Sequence, residues 1–308
     1  MVIKMTRTLR IFSFILASVL CLGCGKEDID YSRWYGTEDE GSNDGSETPD
    51  VPAGEFELSV MSFNVRYPAA ADTGEKAWAN RSKGVYAMIN TKKPMLIGVQ
   101  ECYISQRDAI LRNCDSYLAY GVGRTDGKTS GETTSILYDK NLFSLKEYGT
   151  FWLSETPNTP STGWDANIKR TTTWVKLEMK SNGKQFYFVN THLDHQGAKA
   201  KAEGLKLIQK KIDDMNGAGL PVVLSGDFNE LSTNSIFSVL TLKNTRNEAK
   251  VSDNFGTSNG WGEKNQQIDH IYFDNLDVLT YETIRDRWEG YTYISDHYPV
   301  MATFNFKK

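Results

Sequence analysis

The four histidines of the chain fall in three short segments, each carrying an aspartate: Thr191-His192-Leu193-Asp194-His195, Ile268-Asp269-His270-Ile271 and Ser295-Asp296-His297-Tyr298. Further polar groups stand where apolar runs end. Asn64 follows Val60-Met61-Ser62-Phe63, Glu101 follows Ile97-Gly98-Val99-Gln100, and Asp227 and Asn229 follow Val222-Val223-Leu224-Ser225-Gly226. These residue types suit metal-assisted attack of water on a phosphate ester. Carboxylates are hard oxygen ligands for Mg²⁺, which keeps several waters and bridges carboxylate to phosphate. Asparagine can hydrogen-bond a phosphate oxygen or orient water without adding negative charge. Histidine can stabilise or protonate a charged transition state. Zinc fits less well, because there is no paired helical His spacing and no Cys cluster. His192-x-Asp194-His195 offers ligands, but two histidines three apart beyond a strand end need not converge. Gly121-Val122-Gly123 lacks the rest of a dinucleotide fingerprint, and no serine nucleophile elbow is present.

Singly, each position is weak. A lone carboxylate after a strand is usually a helix cap or turn former, and a lone histidine on a strand is usually a hydrogen-bonded core residue. What counts is that several such residues stand at strand ends in one chain, where a rigid sheet fixes side chains and loops leave them accessible.

The elements that must position them alternate between strand and helix. Strands are expected at Leu58–Val65, Met95–Val99, Ser135–Tyr138, Leu142–Leu145, Thr172–Met179, Gln185–Asn190, Pro221–Leu224, Gln267–Phe273 and Pro299–Phe306. Ser181-Asn182-Gly183-Lys184 signals a hairpin turn. Trp78, Arg81, Val85, Met88 and Ile89 recur at helical spacing, Ile104–Leu111 suggests a helix, and Ala198–Met215 carries one apolar face. Hairpins beside αβ units predict an α/β domain with mixed sheets rather than purely parallel ones.

Charge divides the 308 residues into three parts. Residues 1–24 carry Lys4, Arg7 and Arg10 before the apolar run 11–22, too short for a span of about 20 residues and suited to a secretory signal. Residues 25–54 carry nine acids against two bases and almost no aliphatics, which predicts a flexible acidic linker. The catalytic domain is then 55–308, with a formal charge of zero, which weakens long nucleic acid as a partner. Extracytoplasmic placement permits a disulfide. A helix between Cys102 and Cys114 separates them too widely for one, so free buried thiols are expected.

Cys21-Leu22-Gly23-Cys24 resembles a bacterial lipobox with Cys24 as the acylated residue, although Cys21 stands where an aliphatic is usual. The resemblance implies a protein lipid-anchored to the bacterial cell envelope, at the outer membrane. The acids after Cys24 resemble the export tag of surface-exposed lipoproteins.

The ordered set Ser62-Phe63-Asn64-Val65-Arg66, Val99-Gln100-Glu101, Asn190-Thr191-His192, Ser225-Gly226-Asp227-Phe228-Asn229, Ile268-Asp269-His270-Ile271 and Ser295-Asp296-His297-Tyr298-Pro299-Val300 resembles the endonuclease/exonuclease/phosphatase superfamily, the deoxyribonuclease-I-like enzymes, over about residues 57–306. The resemblance implies a four-layer α/β sandwich, two packed mixed β-sheets flanked by helices, with a site at one end of the sheets. It implies a divalent cofactor, Mg²⁺ or Mn²⁺, held by Glu101 with Asn64 and aided by Asp296. Asp227 would activate water, Asn229 would hold the phosphate, and His297, oriented by Asp269, would contact it. His192 matches a second catalytic histidine, with Glu132 in the place of its carboxylate partner. Arg170 falls where that branch binds phosphate, and Arg66 is a further substrate-binding candidate. Surface readings compete for two of these: Glu132 on an exposed hairpin, and Arg170 paired with Asp165. His195 and His270 are left as structural.

The expected activity is hydrolysis of a phosphate ester of a small molecule, lipid headgroup or nucleic acid, by a monomer. The alternative is a catalytically silent, surface-anchored binding protein that keeps the fold. It predicts the loss of at least one of Glu101, Asp227, Asp269 or His297, and none is lost.

Overall fold

The computed structural model describes residues 57–307. The expected signal peptide, the acylation site Cys24 and the acidic linker lie outside the described residues. No described helix is long and apolar enough to cross a membrane.

Two large mixed sheets form the centre. One has seven strands in the order Val251–Ser252, Leu276–Thr283, Val300–Phe306, Glu57–Asn64, Leu96–Gln100, Ile136–Asp139 and Tyr117–Tyr120. The other has six, in the order Lys243–Asn244, Asp269–Asp274, Val222–Asp227, Gln185–His192, Thr171–Met179 and Phe143–Trp152. Both contain parallel and antiparallel pairs.

Period-two alternation sorts the apolar side chains into separate cores. Leu58, Val60, Leu96, Phe186, Phe188, Val223 and Ile271 pack between the sheets. Their neighbours Met61, Phe63, Ile97 and Val99 face outward beneath helices α1 (Trp78–Lys92) and α2 (Ile104–Asn113). Tyr187, Val189, Val222 and Leu224 face the other way, beneath α3 (Ala198–Met215). Strands buried on both faces read as near-continuous apolar runs, so these strands stand out in the sequence. Asp165 accepts the backbone N–H groups of Lys199 (3.1 Å) and Ala200 (2.6 Å), capping α3 from a distant loop.

Toward one end, the inter-sheet face turns polar. Along each strand the inward positions run Leu58, Val60, Ser62, Asn64; Leu96, Gly98, Gln100; Phe186, Phe188, Asn190, His192; and Val223, Ser225, Asp227. Gln100 Nε2 donates to Asn190 Oδ1 (2.7 Å) and Ser62 Oγ (3.1 Å), and Ser225 Oγ donates to the same Asn190 oxygen (3.1 Å). Asn190 Nδ2 donates to the carbonyls of Val99 (2.9 Å) and Ser135 (3.1 Å). This buried network joins the sheets just below the site. Gly98 is required there, because a Cβ would meet Ser225 Oγ and would lie 2.6 Å from Asn190 Oδ1.

Most expected elements are present, with α3 and the 181–184 hairpin as read. Six strands go beyond the expectation: the two-residue Cys102–Tyr103, Glu132–Thr133, Lys243–Asn244 and Val251–Ser252, and two longer ones, Tyr117–Tyr120 and Leu276–Thr283. The last includes Asp277, Thr280 and Glu282 and bulges between Val278 and Thr280, so its apolar pattern is interrupted. Cys102 and Cys114 are free and buried at either end of α2, as expected.

Candidate active site

Strand register brings the polar groups together. Asp227 is paired with Asp269 on one side and with His192 on the other, so three site residues stand abreast on adjacent strands. Asn64 ends the central strand of the opposite sheet, and its Nδ2 donates to Asp227 Oδ2 (2.9 Å) and Glu101 Oε1 (3.2 Å). His192 Nε2 lies 3.6 Å and His297 Nε2 3.9 Å from that same Asp227 oxygen. The other, Oδ1, accepts the Asn229 backbone N–H (2.9 Å), while Asn229 Nδ2 donates to the Leu193 carbonyl (3.1 Å). His297 Nδ1 pairs with Asp269 Oδ2 (2.8 Å), which also accepts from Thr257 Oγ1 (2.6 Å). A cleft of about 750 Å³ opens over this group, lined by Arg66, Glu101, His192, Asp227, Asn229, Asp296 and His297 among others.

Burial and charge tune the group. Burial, then the neighbouring Asp269, pushes Asp227 up to about 7. Burial opposes charge on His297, but Asp269 and Asp227 outweigh it and hold its imidazolium up to about 10. Burial, then Arg170 and Arg124, drives His192 well below its usual range, so it is neutral. Two histidines beside one carboxylate therefore carry opposite protonation states.

On the other flank, Arg66 Nη1 sits 3.9 Å from Glu101 Oε2 and 3.6 Å from Asp296 Oδ2. Asp72 holds the same guanidinium through Nε (2.9 Å) and Nη2 (3.3 Å). Arg66, Glu101 and Asn229 all have left-handed backbone (φ 56°, 54° and 49°), a conformation that costs an L-residue about 1–2 kcal/mol. Their surroundings enforce it. The Arg66 carbonyl accepts from Arg81 Nη2 (2.7 Å) and Gln106 Nε2 (2.9 Å), and Arg81 Nη1 also ties the carbonyls of Val65 and Ile294.

Beyond His192 the structure corrects two expectations. Glu132 makes no hydrogen bond to His192; it is buried and bound bidentately by Arg124, with Nη1–Oε2 at 2.8 Å and Nη2–Oε1 at 2.7 Å. The guanidinium of Arg124, which no motif marks, outcompetes a neutral imidazole for the carboxylate. His195, left as structural, supports Arg170, its Nδ1 meeting Arg170 Nη2 at 3.1 Å at the cleft wall. Arg170 is buried, with Nε 3.6 Å from Asp194 Oδ2; Asp165 caps α3 instead of pairing with it. His270 points away, as expected, with Nε2 on the Glu230 carbonyl (2.9 Å). Trp164 packs under α3 and Trp261 stacks on Arg81; neither lines the cleft.

Two donor sets could hold a cation. Asp227, Asp269 and His297 each offer a ligand atom within 4.8 Å of the others. In that set, however, His297 Nδ1 and Asp269 Oδ2 already satisfy each other. Asn64, expected among the ligands, instead turns Nδ2 toward Glu101 and Asp227 while its Oδ1 accepts the Arg66 backbone N–H (3.0 Å), whereas Glu101 and Asp296 are hard oxygen donors at the cleft and already share one positive group, Arg66. That chemistry fits Mg²⁺ or Mn²⁺.

Comparison with known proteins agrees with this geometry. A family described as the Endonuclease/Exonuclease/phosphatase family matches residues 61–297. A solved endonuclease/exonuclease/phosphatase family protein from Bacteroides thetaiotaomicron is 32% identical, with a TM-score of 0.77 over 82% of this chain and 99% of its own. A mannosyl-6-phosphatase from the same organism is 33% identical, with a TM-score of 0.75 over 81% of this chain and 100% of its own. Human nocturnin is 27% identical over 176 residues, 46% of this chain and 40% of nocturnin. With matched motifs spanning both sheets and the cleft between their ends, the chain belongs to the Endonuclease/Exonuclease/phosphatase family.

Proposed function

We propose that this protein hydrolyses phosphate esters of small molecules by in-line attack of water on phosphorus, with a divalent cation as cofactor. The observation that carries the reading is Asp227, a buried carboxylate near neutrality in its titration, set between neutral His192 and protonated His297 in a cleft that also holds Glu101 and Asp296.

In this mechanism Asp227 orients the attacking water and takes its proton, and a base that titrates near 7 is matched to that task. His297, held in one orientation by Asp269, donates from Nε2 to a phosphate oxygen and stabilises charge as it develops. His192 donates as a neutral imidazole, and Arg170 contributes fixed positive charge beside it. Asn229 positions the phosphate with an amide group that adds no charge, and Asn64 orients the Asp227 carboxylate. Glu101 and Asp296 would hold the cation, with Asn64 fixing the Glu101 carboxylate through its amide N–H, and the cation supplies neutralisation of the phosphate oxygens when bound. Arg66 then binds substrate at the same edge, with its backbone fixed by Arg81 and Gln106.

A small substrate is favoured over duplex nucleic acid by the neutral domain and the bounded cleft. The similarity to a mannosyl-6-phosphatase supports a phosphomonoester. We place the enzyme outside the cytoplasm, acylated at Cys24, on the strength of the basic residues, apolar run and Gly23-Cys24 of the N-terminus. Hydrolysis of a phosphomonoester and a phosphodiester is measured with Mg²⁺, with Mn²⁺ and with EDTA. Turnover that requires the metal is expected, and a folded sample inert toward both esters under all three conditions contradicts the reading.

A further inference from the structure

The wall of the cleft beyond His192 carries charged groups that the water attack does not use. Arg124 and Glu132 form a two-pronged pair across the base of a tight loop. Their backbones are fixed as firmly as their side chains. Arg124 N–H donates to the Glu132 carbonyl (2.9 Å), Thr125 N–H to Ser130 (3.0 Å) and Gly123 N–H to Lys128 (2.9 Å). The Arg124 carbonyl accepts from Trp152 Nε1 (2.8 Å). Beside this pair stands Arg170, between His195 Nδ1 (3.1 Å) and Asp194 Oδ2 (3.6 Å). Both members of the Arg124–Glu132 pair line the cleft and retain some exposure, 18% and 11% of their side chains.

Two guanidiniums are balanced here by two carboxylates. The wall therefore has no surplus charge to attract a second phosphate. What it presents is a rigid row of donors next to acceptors. A hydroxyl group both donates and accepts, so adjacent hydroxyls can each donate a hydrogen bond to a Glu132 oxygen and accept one from a guanidinium. The pair keeps its mutual bonds whatever binds, but an alkyl chain would cover its exposed edges without replacing the hydrogen bonds water makes there, whereas hydroxyls replace them.

We propose that the Arg124–Glu132 pair is a specificity subsite for neighbouring hydroxyls on the alcohol half of the ester, so that the substrate is a phosphorylated sugar or related polyol. This rests on the phosphoester hydrolysis proposed above. The pair is a binding element, distinct from the water-activating group around Asp227.

The test compares kcat/KM for mannose 6-phosphate and for n-hexyl phosphate with Mg²⁺. The wild type is expected to favour the sugar ester by about thirtyfold or more, and Arg124→Met to cut that ratio by about tenfold, chiefly through KM for the sugar ester. The double variant Arg124→Met/Glu132→Leu leaves no lone buried charge, and should cut the ratio equally with the far-ultraviolet circular dichroism retained. An unchanged ratio, or a wild type indifferent to the two esters, overturns the proposal. So does a hexose 1,6-bisphosphate that outperforms the monophosphate. If the wild type turns over neither ester, the hydrolysis reading fails, and binding decides the subsite separately. Titration calorimetry on Asp227→Asn with Mg²⁺ should then show the sugar ester binding about tenfold tighter than the hexyl ester, and Arg124→Met should abolish the difference. Equal affinities overturn it.

Discussion

Asn64 and Asp227 lie 163 residues apart in sequence and on opposite sheets, yet the Asn64 amide donates to the Asp227 carboxylate at 2.9 Å. That bond joins the Glu101 flank of the cleft to the Asp227 flank. It is made where the inter-sheet face turns polar, directly above the Gln100–Asn190–Ser225 network.

The His297–Asp269 pair sets the alkaline behaviour. Asp269→Asn removes the negative charge that keeps His297 protonated up to about 10. The alkaline limb of the kcat/KM profile should move down by at least about one pH unit, with activity at pH 9.5 reduced about threefold or more. A pH–rate profile checks this, and an unmoved alkaline limb would assign the limb to another group.

The polar network under the site should be intolerant of bulk. Gly98→Ala places a methyl against Ser225 and Asn190, and is expected to destabilise the protein by about 1–3 kcal/mol. Urea unfolding measures it. A midpoint equal to wild type would mean that the sheets separate more easily than their packing implies.

Acid stability should depend on His270. Burial depresses its folded value to about 4, against about 6.5 when unfolded. The unfolded chain therefore binds the extra proton first. Stability from this residue is complete above about pH 6.5 and falls by about 1.4 kcal/mol per unit as pH drops toward 4. His270→Gln should flatten that stretch of the stability–pH curve, measured by denaturant unfolding between pH 4 and 7.

Much of this was legible in the sequence, and particular residues show why. Asn64, Glu101, Asp227 and Asn229 each follow an apolar run long enough to be a buried strand, so position and chemistry coincide. The inward series Leu58, Val60, Ser62, Asn64 even records the turn from core to site in one strand. Arg124 and Arg81 were not legible. Arg81 reads as one residue of an amphipathic helix, and nothing local reveals that its guanidinium binds the carbonyls of Val65, Arg66 and Ile294. Glu132 reads as the partner of His192, because the cation that binds it instead, Arg124, lies in a loop with no periodic pattern. The strand Leu276–Thr283 escaped because a bulge and alternate polar residues break its apolar run.

The N-terminal segment yields a separate prediction. Cys24→Ala should move the protein from the membrane fraction to the soluble extracytoplasmic fraction without loss of activity, because the anchor and the cleft use different residues. Fractionation with an activity assay checks it, and membrane association that survives the substitution would contradict acylation at Cys24.

Hydrolysis of a phosphomonoester in H₂¹⁸O tests the central claim most directly, with mass spectrometry of both products in the presence of Mg²⁺. Attack on phosphorus by water held at Asp227 places one labelled oxygen in the released phosphate and none in the alcohol. Asp227→Asn should slow that release by about a thousandfold with its thermal unfolding preserved. Label in the alcohol, or undiminished release by Asp227→Asn, would contradict the account.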